Sequence, residues 1–232
     1  MTNVLEEEEE EASRSDYILS IAQLLGRYLS NLPNEAERMP VLLEQLGKND
    51  CGLTNRKNMV GHLTASALVI NQSSQVLLIH HNGLKRWLQP GGHLNHNEEP
   101  ESGARRELLE ETGLGSLGEI ALVHSPHNSG LNALSSGLNA LSSGLNLLPF
   151  DVDTHDIPAN AAKSEGEHRH HDFQYIYRLD HKIARPIVLQ EDEVAKYKWV
   201  TLEQLASGDY GRRLSRVAAK LRTGLQQNGE PA

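Results

Sequence analysis

The sequence predicts an α+β fold with a mixed β-sheet, preceded by an N-terminal helical extension. Three observations predict it. Apolar residues recur at helical spacing up to about residue 46 and at extended spacing from His62 onward. The strand-like segments that follow are interrupted by one helix and closed by another, without the strict alternation of a doubly wound sheet. The 38% apolar content, supplemented by 19 glycines, suffices for one sizeable core in 232 residues.

Residues 1–15 contain the run Glu6 to Glu11, which reads as a solvated, disordered acidic tail. Behind a Ser15 cap, Ile18, Ile21, Ala22, Leu25, Tyr28 and Leu29 predict an amphipathic helix. A second helix over Asn34 to Leu46 has Asn34 as cap, Glu37 three residues on and Gly47 as stop, and Pro40 must kink or divide it. The polar stretch Lys48 to Asn58 is a linker that completes an extension over 16–58. The main domain spans 59–228. It opens with Leu63 to Ile70 and Val76 to Ile79, a hairpin joined by the polar turn Asn71-Gln72-Ser73-Ser74. Further strands are expected at Glu119 to Val123, Phe150 to Ile157, Asp172 to Leu179 and Lys196 to Val200, with one helix near Pro100 to Thr112. A C-terminal helix places Leu214, Val217, Ala218, Leu221 and Leu225 on one stripe. Within the domain, Ser129 to Leu148 repeats SGLNALS with leucines three and four apart. Fewer than three heptads, each with a glycine costing a helix about 1 kcal/mol, favour a duplicated surface insertion over a coiled coil.

Composition excludes several classes of function. Aromatics at 4% are too sparse for a platform that stacks single-stranded nucleic acid. A net charge of −9 opposes binding to a nucleic-acid duplex by counterion release, and neither flank is basic. Six of those negative charges are the glutamate run, so the rest of the chain is near neutral. With one cysteine, no leader-like N-terminus and no apolar run of about 18 residues, a cytoplasmic protein with no membrane contact is expected.

The chemistry concentrates in residues 90–114, PGGHLNHNEEPESGARRELLEETGL. Pro100 suits the first turn of a helix, Glu101 its positive dipole end, and Gly113 its stop. Ala104 and Leu108 share a buried face. Glu107, Glu110 and Glu111 share the other, at i, i+3 and i+4. That placement is unfavourable in a bare helix, because each carboxylate meets the negative dipole end at a cost of about 0.3–1 kcal/mol and repels its neighbours. Arg106 can reach Glu110 and, across the preceding loop, Glu98, but one guanidinium does not balance four acids. Either the helix presents a solvated acidic face, or a hard divalent cation with oxygen ligands, Mg²⁺ or Mn²⁺, offsets the charge. Spacing alone does not choose between them.

Gly92, Glu98, Arg106, Glu107, Leu108, Glu110, Glu111, Gly113 and Leu114 match every fixed position of G-x5-E-x7-R-E-U-x-E-E-x-G-U, U being bulky and apolar. This chain thereby resembles the Nudix family, over roughly residues 60–207, and Trp87-Leu88-Gln89-Pro90-Gly91-Gly92 resembles the family's entry to that box. The resemblance implies an α/β/α sandwich with a mixed sheet and hydrolysis of a nucleoside diphosphate linked to another moiety X. It implies divalent metal on Glu107, Glu110 and Glu111, and an Arg106–Glu98 pair that holds the helix and orients a glutamate. It also implies Gly92 and Gly113 as turn residues.

Beyond the box, family members commonly take a general base from a later loop, and Glu193 in Glu191-Asp192-Glu193 is a candidate; an ordinary acidic turn explains the same residues. All twelve histidines lie between His62 and His181. In EGEHRHHDFQYIY, extended geometry puts His168, His170 and Asp172 on one face and His171, Phe173, Tyr175 and Tyr177 on the other. Asp151, Asp153 and His155 alternate likewise. If these strands pair, two polar rows meet, suiting substrate contacts or a second metal; an exposed polar face is the plainer alternative. A His-x-His pair alone is a weak zinc signal. His93, after Gly91-Gly92, is expected to touch a small-molecule diphosphate substrate with those glycines, His168 and His170. The N-terminal helices pack on the domain or on a second subunit, as in a homodimer. The rival function is a non-catalytic nucleotide-sensing module, which would tend to lose box glutamates. An isopentenyl diphosphate isomerase would need an active-site cysteine, and Cys51 lies upstream of the first sheet strand.

Overall fold

The computed structural model describes residues 2–115, 120–123, 147–160, 165–180 and 186–227. The leucine repeat at 129–148 lies outside the described residues except for 147 and 148. Strand β1 (His62–Ile70) is the spine of a mixed sheet, pairing in parallel with β7 (His168–Leu179) from His62↔His170 to Ile70↔Arg178. Its other edge is shared by β2 (Val76–His81), at Ile70↔Val76, and by β4 (Gly91–His93), from Thr64↔His93 to Ser66↔Gly91. The expected hairpin is therefore paired at its turn alone. There Asn71 accepts from the Ser73 and Gln75 amides through its side chain, and Ser74 turns the chain at φ 56°. Beyond the turn β2 pairs with β8 (Val194–Val200) and with β3 (Arg86–Leu88). The twelve-residue β7 has room on its free edge for two partners end to end, β6 (Asp151–Ile157) and β5 (Ile120–Val123).

Every residue of β1 is buried, as a strand covered on both faces requires. Leu63, Ala65, Ala67 and Val69 join Phe173, Tyr175 and Tyr177 under α1 (Thr2–Asn31) and α3 (Pro100–Thr112). Leu68, Ile70, Leu78 and Ile176 face α4 (Leu202–Ala206) and the Leu214, Val217, Ala218 and Leu221 stripe of α5 (Arg212–Gln227). Helices on both faces of a mixed sheet make the α+β sandwich that the sequence predicts.

The N-terminal part differs in detail. Helix α1 begins at Thr2, so the glutamate run expected as a disordered tail is helical; glutamate forms helix readily and nothing breaks the run. Pro40 divides the second segment into a 3-10 turn, Pro33–Arg38, and α2 (Pro40–Gly47). Asn34 is not a cap there, because Pro33 already occupies the first position of the turn. Gly47 is the last residue of α2 and not its left-handed stop; Asn49, at φ 52°, turns the chain instead. The linker folds as a further 3-10 turn, Cys51–Thr54, with the Gly52 amide donating to the Asp50 carboxylate at 2.9 Å. Ile18, Ile21, Leu24, Leu25 and Tyr28 lie in the same cluster as β1 and α3, so these helices pack on their own domain. No helix among the described residues is long and apolar enough to cross a membrane.

An ion cluster ties this extension to the C-terminal helix. Asp151 is fully buried and accepts from Arg38 at 3.1 Å, Arg216 at 2.9 Å and Lys220 at 3.1 Å. Burial alone would raise its pKa, but Lys220, Arg216 and Arg38 together hold it below the ordinary carboxylate range. Asp153 takes a second Arg216 bond at 2.6 Å. Asp151 and Asp153, whose row suited substrate contacts, a second metal or a plain exposed face, are thus paired within the fold. Without Asp151, Arg38 and Lys220 would keep Glu35 and Arg216 would keep Asp153, leaving three cations on two carboxylates, so Asp151→Ala is expected to lower the free energy of unfolding by about 3 kcal/mol in denaturant titrations. A change under about 1 kcal/mol would show that water replaces the carboxylate.

Candidate active site

Helix α3 closes at Gly113, which adopts φ 71° and donates to Leu109 O at 2.9 Å. Ala104 and Leu108 are buried against the sheet, and Tyr177 Oη donates to the Glu101 carboxylate at 3.1 Å, fixing the helix's start. The opposite side then presents the glutamates to β4.

Arg106 organises them. Its Nε and Nη2 donate to the two Glu98 oxygens, both at 2.8 Å, in a bidentate pair. Nη2 also donates to His93 O at 2.8 Å, while Nη1 reaches Glu107 at 2.8 Å and Glu110 at 2.9 Å. Glu98 in turn accepts the Asn95 amide at 2.8 Å, so the loop between β4 and α3 is pinned to the helix. Tyr17 of α1 donates to Glu98 O at 2.6 Å from behind. The expected Arg106–Glu98 pair is present, and α1 supports it.

Glycine is needed twice on β4. A Cβ at Gly92 would lie 2.5 Å from the Glu107 carboxylate, and one at Gly91 would lie 2.6 Å from Ala65 O. Glu107 therefore rests in the space that Gly92 leaves. The Gly91 amide donates to Glu111 Oε2 at 2.8 Å. Glu111 is 2% exposed, and its carboxylate is met by this backbone amide instead of by a cation. Burial, then the charges of Glu107, Glu193 and Glu110, push its pKa up to about 8 against the pull of the Gly91 amide. Burial raises Glu107 as well, with Arg106 opposing.

The later loop that carries Glu193 lies against α3, a docking that local spacing does not reveal. Val188 N donates to Thr112 O at 2.9 Å and Gln190 N to Glu111 O at 3.3 Å, so the loop docks on the last turn of α3. Its charge acts on both Glu107 and Glu111. The three α3 carboxylates are not gathered on one point, since Glu107 and Glu110 turn to Arg106 and Glu111 to Gly91. The donor set nonetheless fits a hard divalent ion: oxygen ligands only, and one buried carboxylate lacking a counter-charge.

The histidines lie elsewhere. Thr64↔His93 and Ala65↔Gly92 register, with alternation along an extended strand, turns Gly92 toward α3 and His93 to the other face of the sheet. There His93 meets the ring of His170 at 5.0 Å, and β6 and β7 pair as His155↔His170 and Asp153↔Asp172. The predicted polar rows do meet. His62, which stands in no motif of its own, joins them from β1, its ring 5.0 Å from those of His93 and His168. Asp172 accepts from Ser66 at 2.8 Å and Thr64 at 3.2 Å. His171 points the opposite way, to Gln45 at 2.8 Å and Thr154 at 2.9 Å. His93, His168 and His170 are thus brought together, on the face away from Glu107.

The family model described as NUDIX domain matches residues 61–133. A protein of Lactococcus lactis subsp. cremoris described as a probable DHNTP pyrophosphohydrolase is 29% identical over 167 residues, 72% of this chain and 79% of its own length. A putative 8-oxo-dGTP diphosphatase of Bacillus subtilis is 43% identical over 49 residues, 21% of this chain and 33% of its own. Among solved structures, a C. elegans Ap4A hydrolase binary complex matches with a TM-score of 0.49 at 15% identity, covering 71% of this chain and 98% of that one.

Because the folded chain holds the Glu111 proton more tightly than the unfolded chain, this group's contribution to stability is full below its ordinary pKa of 4.5 and is lost as pH rises through about 8. Glu111→Gln keeps an acceptor for the Gly91 amide and cannot ionise. In chelator, the variant is expected to melt above the parent at about pH 8.5, with the margin closing toward about pH 5. A margin independent of pH would show that Glu111 ionises without penalty.

Proposed function

Because this chain carries a NUDIX domain at residues 61–133, we propose that it is a Mg²⁺-dependent hydrolase cleaving the phosphoanhydride of a nucleoside diphosphate linked to another moiety. A nucleoside triphosphate falls within that class, with the third phosphate as the moiety. The observation that carries this reading is the buried Glu111, crowded by Glu107 and Glu193 and bonded to Gly91. Evolution of an inert fold gives no reason to bury a carboxylate among like charges. The names of the Lactococcus and Bacillus relatives, a pyrophosphohydrolase and a diphosphatase, support the same reaction class.

In this reading Glu107, Glu110 and Glu111 hold the divalent ion, Mg²⁺ or Mn²⁺. When bound, it supplies positive charge to phosphoryl oxygens and acidifies water. Arg106, locked by Glu98, keeps the helix against β4 and orients Glu107 and Glu110. Gly92, lacking a side chain, gives the Glu107 carboxylate its place against β4. Glu193 stands on a loop beside the carboxylates and serves as the base, taking a proton from the water that attacks phosphorus. The anhydride oxygen leaves with the other phosphate.

The test is a screen of nucleoside diphosphate derivatives and nucleoside triphosphates with Mg²⁺, followed by phosphorus NMR in ¹⁸O-water. Cleavage with one ¹⁸O in a phosphate product is expected. Glu111→Gln should lower kcat/KM by about 10²–10³-fold, and Glu193→Gln by about 10²-fold or more if Glu193 is the base. Full turnover in Glu193→Gln would remove it from that role. If no diphosphate is cleaved but nucleotide binds, the sensing module takes the place of the enzyme.

A further inference from the structure

The proposed chemistry uses the carboxylates on one face of β4 and leaves the imidazoles on the other without a task. One ring nitrogen from each of His62, His168 and His170 lies within 4.8 Å of the others, the sole such metal-ligating trio among the described residues. We propose that these three histidines form a binding site for a divalent ion of the zinc class, separate from the carboxylate site and selective against Mg²⁺.

The tautomers support this. His62 Nδ1 lies 3.2 Å from Asn58 O and His168 Nδ1 lies 2.8 Å from Gly166 O. A carbonyl oxygen can only accept, so both Nδ1 atoms carry the proton and both Nε2 atoms present lone pairs. Metal-binding histidines are oriented by such carbonyl contacts. His168 Nε2 and His170 Nε2 are 3.2 Å apart. Zinc–nitrogen bonds of about 2.0–2.1 Å in a tetrahedron put ligand nitrogens about 3.3 Å apart. Two of the ligands are already at that separation, and His62 needs to close by no more than about 1.5 Å.

A plain hydrogen bond between His168 and His170 accounts for their approach but not for the third ring. His62 is 1% exposed, and its Nε2 is buried with no hydrogen-bond partner. A buried acceptor left without a donor or a metal ion costs about 1–3 kcal/mol. Neutral imidazole suits zinc-class ions and not Mg²⁺, which takes oxygen. His93, its ring 5.0 Å from those of His62 and His170, borders the remaining side. The ion would tie the start of β1 to the start of β7, beside the strand whose His93 carbonyl receives Arg106.

The test uses the full, tag-free chain stripped of metal and titrated with Zn²⁺ against a chromogenic chelator. One tight equivalent is expected, unaffected by excess Mg²⁺. His168→Ala and His170→Ala should weaken it by at least about 100-fold, since loss of an outer-shell partner alone costs 10–100-fold. Glu111→Gln should leave it unchanged. Failure to bind Zn²⁺, or binding lost in Glu111→Gln and kept in the histidine variants, overturns the proposal. Should a histidine variant not fold by circular dichroism, ¹⁵N spectra of the unmutated chain decide. Three imidazole Nε2 resonances should shift with one equivalent of Zn²⁺, and unshifted resonances overturn the site. No readout depends on hydrolysis, so the outcome is independent of the proposed activity.

Discussion

The Arg106 guanidinium is the interaction on which the site depends. Its five donors meet Glu98 in a fork, the His93 carbonyl, and single oxygens of Glu107 and Glu110. A lysine could satisfy the charge but not this geometry, since it lacks the planar fork. Through these bonds one side chain fixes the loop from β4 to α3, the approach of the helix to the strand, and two of the three clustered acids. Glu111 is left outside its reach. Its lack of a cationic partner follows directly from how Arg106 is already engaged.

Strand β4 is short and has two different faces. Its glycines admit Glu107 on one side, and its alternation sends His93 to the other. Carboxylates and imidazoles prefer different ions, so one strand borders two donor sets that differ in chemistry as well as position. The Gly91 amide and the His93 carbonyl both bond to α3 groups. A displacement of β4 would therefore be felt on both faces.

The segments beyond the family resemblance are structural partners of the site. Tyr17 of α1 bonds to Glu98 O, and Arg38 meets Arg216 and Lys220 around Asp151. An ionised carboxylate is stable at a buried position only with cations around it, and Asp151 draws its three from two separate segments of the chain. The N-terminal helices, β6 and α5 are bound into one unit by that requirement. Alternation puts Asp151, Asp153 and His155 in one row without saying what they meet, and the fold uses its acids to hold these elements together.

What the sequence determined is what covalent geometry repeats over a few residues. Period 3.6 put Glu107, Glu110 and Glu111 on one side of α3 and Arg106 within reach of Glu110; period 2 sorted His168, His170 and Asp172 from His171, Phe173 and Tyr175. The left-handed turn at Gly113 was legible for the same local reason. The tertiary structure decided which strands meet. Nothing near His62 indicates that β1 would run parallel to β7 and bring it to His168 and His170. Nor does the spacing show that β2 would leave β1 after the turn, or that the loop before β8 would dock on α3 and deliver Glu193. Those pairings are chosen by which apolar faces can be buried together across long stretches of chain, and a local pattern constrains the faces without selecting their partners.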